Sequence, residues 1–158
     1  MPDIPELTAS LTPPLSPPSG ALLSPHFKVA ELSCKCCGLL RLDYALICGL
    51  ELLRERVNSP LIINSGYRCS VHNLKVGGSR ESQHTYGRAA DVRYWDPMYL
   101  YECAERVWYF AQGGIGLSLE SAFVHVDVRR NGPARWGYKD DKVVPIEQVL
   151  GHAWRPML

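Results

Sequence analysis

With 158 residues, the chain fits one compact domain that can bury a core without staples. Seventeen Lys and Arg against sixteen Asp and Glu give a net charge of +1, which excludes recognition of nucleic acid or anionic membrane through bulk charge. No apolar run approaches the roughly 20 residues that span a bilayer, so no membrane insertion is expected.

Residues 1–26 read as a proline-rich arm or linker. Pro2, Pro5, Pro13, Pro14, Pro17, Pro18 and Pro25 fall here, with Ser, Thr and Leu between them and no helical or strand period. The start, Met1-Pro2-Asp3-Ile4-Pro5-Glu6, lacks the basic beginning and apolar centre of a secretory signal. The folded domain is expected over 27–158.

Ser33 to Gly38 forms a cysteine-rich knuckle. Asp43 then has the position of an N-cap, and Leu46, Ile47, Leu50, Leu53 and Val57 recur at helical spacing until Asn58-Ser59-Pro60 stops the helix. Leu61-Ile62-Ile63-Asn64 predicts a buried strand that delivers Ser65-Gly66-Tyr67-Arg68 at its end. A loop at Val76-Gly77-Gly78-Ser79 leads to a strand over Ala89–Tyr94, with Asp91 and Arg93 on one face and Ala90, Val92 and Tyr94 on the other.

Asp96-Pro97 opens a second helix with Pro at its first position. Leu100, Cys103, Ala104, Val107 and Phe110 make its apolar face, and Gly113-Gly114 ends it. Phe123 to Arg129 alternates: Val124, Val126 and Val128 point to a core, while Phe123, His125, Asp127 and Arg129 point the other way. Val143 to Gly151 reads as a strand edge followed by a short helical turn. The expected class is α+β, with two main helices packed on a small, mostly antiparallel sheet.

The chemistry concentrates in Ser82-Gln83-His84-Thr85-Tyr86-Gly87-Arg88-Ala89-Ala90-Asp91 and in the strand that carries His125. Two His and one Asp are a natural three-ligand set for a catalytic zinc, with a fourth tetrahedral position open. Gly87 permits a tight turn between the first two ligands, and Ala89 and Ala90 allow the Asp91 strand to pack closely. On the residues alone, another reading stands beside this one. His84 is then a solvated loop histidine and His125 the satisfied partner of a carboxylate, because no local His-x-x-x-His or Cys-x-x-Cys ties the three together.

Six cysteines are present, at Cys34, Cys36, Cys37, Cys48, Cys69 and Cys103. Three readings remain open. Cys34, Cys37, Cys69 and His72 make a closed structural zinc site; Cys34 or Cys37 pairs with Cys69 in a disulfide; or the thiols stay free. Trp136 and the cluster of Arg129, Arg130 and Arg135 follow the His125 strand, as a rim or core tryptophan and a solvated basic face, or as contacts for a peptide.

The run Ser-x-His-x-x-Gly-x-Ala-x-Asp, followed later by a His in a strand, resembles the zinc D-alanyl-D-alanine peptidases of bacterial cell walls, whose fold is shared by the hedgehog signalling domain. Ser82, His84, Gly87, Ala89 and Asp91 match at the family's spacing, and Val124-His125-Val126-Asp127 matches its last ligand strand. The resemblance extends over roughly Phe27 to Trp136. It implies one catalytic zinc held by His84, Asp91 and His125 in a zinc peptidase domain. Substrate contacts would come from Arg68, within the matching Ser65-Gly66-Tyr67-Arg68, and from Ser82. The implied reaction cleaves a peptide bond involving a D-amino acid in peptidoglycan stem peptides, as a carboxypeptidase or an endopeptidase.

The sequence departs from that pattern at one place. Many relatives carry an acid three residues before the last ligand, and Ala122 stands there. The proton is then expected to fall to Glu120, or else to Asp127, whose other role is to support a ligand from behind. Without a visible signal, the protein is expected to be made in the cytoplasm and to act on the wall after release, or to belong to a phage particle. The arm is then free to meet a phage structural partner. Two rival readings remain: a catalytically silent zinc-binding module of the same fold, and a dipeptidase for small soluble substrates.

Overall fold

The computed structural model describes residues 20–151. Most of the expected arm, residues 1–19, lies outside the described residues, as does the tail at 152–158. Residues 20–26 lie against the domain: Leu22 bridges to Lys28, Leu23 packs on the core, and Ser24 and His26 bond to Glu51.

A short helix, α1 (Val29–Leu32), precedes the cysteine knuckle. Asp43 caps α2 (Tyr44–Val57), its carboxylate accepting from the Ala45 N–H at 3.0 Å. The apolar spacing of α2 buries Leu46, Ile47, Leu50, Leu53 and Val57, each side chain contributing about 1.5–3 kcal/mol by leaving water. Asn58 ends the helix in the left-handed region, at φ 52°. β1 (Ile62–Ser65) follows, then α3 (Ser70–Lys75), a 3-10 turn over Gln83–Tyr86, and β2 (Ala89–Arg93).

The second expected helix is two helices. α4 (Pro97–Glu105) starts from the Asp96 cap with Pro97 in its first turn and stops at Arg106. α5 (Trp108–Ala111) is a separate turn, because Val107 adopts an extended conformation at φ −91° and ψ 113°. Val107 and Phe110 still reach the core, so the helical spacing of apolar residues runs through the break unmarked.

The chain then adds β3 (Gly114–Ser118), β4 (Phe123–Asp127), β5 (Ala134–Lys139), β6 (Lys142–Val144) and α6 (Glu147–Leu150). The strands form one six-stranded sheet in the order β1-β2-β4-β3-β5-β6. Every pairing is antiparallel except β3 with β5, which makes the sheet mixed. The protein is α+β, with α4 against β3 and β4, and α2 packed on α4 and α5. Among the described residues no helix is long and apolar enough to cross a membrane.

Ala90, Val92, Ile115, Leu117, Val124 and Val126 form the core side of the three central strands. The alternate residues form the opposite face, and the register sets them in rows. Asp91 pairs with His125, His125 with Gly116, and Gly116 with Trp136. The glycine is required in that row: a Cβ at Gly116 would stand 2.5 Å from the indole of Trp136. Gly113 and Gly114 follow the Gln112 C-cap of α5, where a helix end is expected, and lead directly into β3.

Candidate metal centre

Local structure aims each of the three expected ligands. The Ser82 hydroxyl accepts from the His84 N–H at 3.3 Å and starts the 3-10 turn. Gly87 closes that turn in the left-handed region, at φ 69°, pressed so tightly on the Arg41 carbonyl that no side chain fits. The His84 ring is buried, and its Nδ1 lies 2.7 Å from the Gly66 carbonyl. A carbonyl only accepts, so Nδ1 carries the proton and Nε2 keeps its lone pair.

Nε2 of His84 faces Asp91 Oδ1 at 3.4 Å, and Nδ1 of His125 faces the same oxygen at 3.0 Å. One ligand atom from each of His84, Asp91 and His125 lies within 4.8 Å of the other two. Ligands about 2.05 Å from a tetrahedral zinc stand about 3.4 Å apart, so these separations and this mixed nitrogen and oxygen donor set fit zinc. The reading of His84 as a solvated loop residue fails, because its ring is buried. His125 is indeed a partner of carboxylates, Asp91 at 3.0 Å and Asp127 at 2.9 Å, and its ring converges on that of His84 with centroids 5.1 Å apart.

Behind the cluster stands Asp127, fully buried. Its Oδ2 accepts from His125 Nε2 at 2.9 Å and from Arg129 Nη2 at 2.6 Å. Its Oδ1 accepts from the Gly114 N–H at 2.8 Å, the Arg129 N–H at 3.0 Å and Arg129 Nε at 2.9 Å. Burial alone would raise its pKa, but Arg129 and His125 hold it well below the usual carboxylate range. Asp127 is therefore a saturated acceptor that orients an imidazole, the support expected behind a histidine ligand.

Charges around the cluster balance in the same way. Burial opposes the ionised form of Asp91, yet His84 and His125 hold its pKa far below normal. Burial lowers the pKa of His84. It would also lower that of His125, but Asp127 and Asp91 on the two ring nitrogens push the value up to about 9. Arg68 donates from Nη2 to Asp91 Oδ2 at 2.8 Å and from Nε to the Ser65 hydroxyl at 2.9 Å, so the sequence run Ser65–Arg68 folds into a clamp on the acid.

These residues sit in a cleft of about 880 Å³ whose lining includes Arg68, Ser82, Arg88, Arg129, Trp136 and Tyr138. The Trp136 ring lies 5.0 Å from the His125 ring and takes the Arg129 guanidinium on its face, also at 5.0 Å. The sequence alone leaves Trp136, after the His125 strand, without a definite role. The pairing of β5 with β3 makes it a wall of the site.

Of the two expected proton carriers, neither is brought to the open side of the cluster. Glu120 is exposed, does not line the cleft, and accepts from the Asp140 N–H at 3.1 Å. Ala122 occupies the β3–β4 turn in the left-handed region, at φ 51°. The cysteine cluster also differs from expectation: the fourth group beside Cys34, Cys37 and Cys69 is Cys36, not His72. His72 lies within α3, where its backbone N–H is bonded to Cys69 Sγ and its ring Nδ1 has no hydrogen-bond partner among the described residues.

A family model described as Peptidase M15 matches residues 25–127, a span that includes all three ligand candidates. No curated protein matches the sequence.

Proposed function

Because the chain belongs to the peptidase M15 family of zinc-dependent peptidases, we propose that it hydrolyses a peptide bond involving a D-amino acid in bacterial peptidoglycan. The convergence of His84 Nε2, Asp91 Oδ1 and His125 Nδ1 at the cleft carries this reading. These three atoms would hold the zinc. When bound, zinc supplies a Lewis acid for an amide carbonyl and makes water a nucleophile near neutral pH.

The remaining work falls to this chain's side chains. The Gly66 carbonyl and Asp127 each hold one ring nitrogen of the two imidazoles, so that a cation would meet the other nitrogen of each and, at His125, would take the place of its proton. Arg68, oriented at two of its nitrogens, presents a guanidinium fork beside the ligands, suited to a substrate carboxylate or carbonyl. Arg88 and Arg129 add positive charge to the cleft, which favours the anionic termini of wall stem peptides. Ser82 lines the cleft while its hydroxyl also caps the His84 turn. Access to the wall would follow release from the cell or delivery on a phage particle.

The test is digestion of chemically diverse sacculi by the zinc-loaded protein, with His84→Ala alongside and products read by mass spectrometry. New muropeptides that need the intact protein support the proposal, and their masses name the bond and distinguish carboxypeptidase from endopeptidase. A second reading, a silent zinc-binding module, draws on one observation: Ala122 offers no acid, and the Glu120 carboxylate is bonded to Asp140. No products from any sacculus, with zinc bound and muropeptides retained, would establish that second reading and overturn the first.

A further inference from the structure

Away from the cleft, four thiols meet at one point. Cys34, Cys36 and Cys37 lie in the knuckle after α1, and Cys69 is the N-cap of α3. All four sulfurs lie within 4.8 Å of one another. Cys36 Sγ is 3.4 Å from Cys69 Sγ and 3.6 Å from Cys34 Sγ. Four sulfurs about 2.3 Å from a tetrahedral zinc stand about 3.8 Å apart, which lies within this range. The cysteines are unpaired.

The surroundings suit thiolates. The Cys69 N–H donates to Cys34 Sγ and the His72 N–H to Cys69 Sγ, each at 3.4 Å. Such donors stabilise the charged sulfur over the thiol. The knuckle is itself held in shape, with the Gly38 N–H on the Cys34 carbonyl and the Cys34 N–H on the Leu39 carbonyl, both 2.8 Å. Burial does not explain the gathering. Cys36 and Cys37 are exposed, whereas a cysteine that serves as a small apolar residue is buried, as Cys103 is.

We propose that Cys34, Cys36, Cys37 and Cys69 bind a second zinc ion in a closed tetrahedral thiolate site, separate from the His84–Asp91–His125 cluster. Four protein ligands leave no open position, so the ion is structural. Its place in the fold gives it a task. It fastens the knuckle to the segment that follows β1, where the Tyr67 N–H already bonds to the Leu32 carbonyl at 2.8 Å. Arg68 is the residue immediately before the ligand Cys69, so the clip holds the base of the arginine that clamps Asp91.

Metal content and thiol protection of the full chain test this without reference to activity. His84→Ala should retain a zinc ion after gel filtration, and its cobalt-substituted form should show sulfur-to-cobalt charge-transfer absorption that Cys36→Ser loses. In the zinc-loaded, unaltered chain, the four thiols should resist alkylation and should become labelled once a strong chelator is added. That second measurement needs no variant to fold. Free alkylation of Cys36 and Cys69 in the zinc-loaded chain, or an intact mass showing a disulfide among the four, would overturn the site. Failure of wall digestion would leave this result untouched.

Discussion

His125 Nε2 and Asp127 Oδ2 stand 2.9 Å apart on one face of β4, and this contact turns the other nitrogen of the ring toward Asp91. Asp127→Asn keeps the shape but replaces an acceptor with an amide that cannot satisfy both the imidazole and Arg129. Removing such a support typically costs about 10–100-fold in metal affinity or activity. Zinc titration and kcat/KM of the folded variant should both fall in that range. A variant with a lowered Tm but unchanged zinc affinity would reduce Asp127 to a packing residue.

Glu120 accepts a hydrogen bond from Asp140 and does not line the cleft. Glu120→Gln should therefore leave kcat/KM for wall peptides unchanged and shift stability by no more than about 0.5 kcal/mol. A large loss of kcat with unchanged zinc content and Tm would show that the β3–β4 turn swings the carboxylate to the substrate after all.

The parts of this site that were legible are those with a local signature. The tight turn at Gly87 and the alternation through β4 are both legible, because a turn glycine and a two-residue period depend on near neighbours. β3 was hidden for a physical reason. In Gly114-Ile115-Gly116-Leu117-Ser118 two of the three residues on the site face are glycines and only Ser118 is polar, so little polar alternation marks a strand, although Ile115 and Leu117 do enter the core. Trp136 gained its role only through the pairing of β5 with β3 across the sheet, a long-range fact that no window of sequence contains. The Cys-x-x-Cys spacing points to Cys34 and Cys37 and leaves Cys36 aside in favour of His72, whereas the knuckle's turn brings the middle cysteine round as well.

Arg68 makes its two contacts from different nitrogens, to Ser65 and to Asp91, which fixes the plane of the guanidinium. Arg68→Lys preserves the charge but cannot bridge both partners or offer a fork to substrate. Hydrogen bonds to charged groups contribute about 1.5–3 kcal/mol each, so losing one should lower kcat/KM by about 10–100-fold. The loss should fall mainly on KM if the arginine binds ground state and transition state alike. Steady-state kinetics on a defined stem peptide would decide. A lysine variant with unchanged KM and kcat would remove Arg68 from the substrate path.

Glu51 fastens the segment before α1 to the middle of α2. Its carboxylate accepts from the Ser24 hydroxyl at 2.5 Å, from the His26 N–H at 2.9 Å, and meets His26 Nδ1 at 2.6 Å. Burial would raise its pKa, but the bonds from Ser24 and His26 outweigh that and lower it. A carboxyl with a depressed folded pKa contributes stability that is fully present above the unfolded value of about 4.3 and is lost as pH falls through the folded one. Glu51→Gln should thus cost about 0.5–1.5 kcal/mol at pH 7, toward the lower figure because the His26 side chain is 42% exposed. In strong acid the two proteins should converge. Denaturant melts at neutral and acid pH, run in chelator so that metal loss affects both alike, measure the gap. An equal gap at both pH values would mean that the variant acts through packing, and no gap at pH 7 would mean that the segment from Ser24 to His26 is not held by this carboxylate.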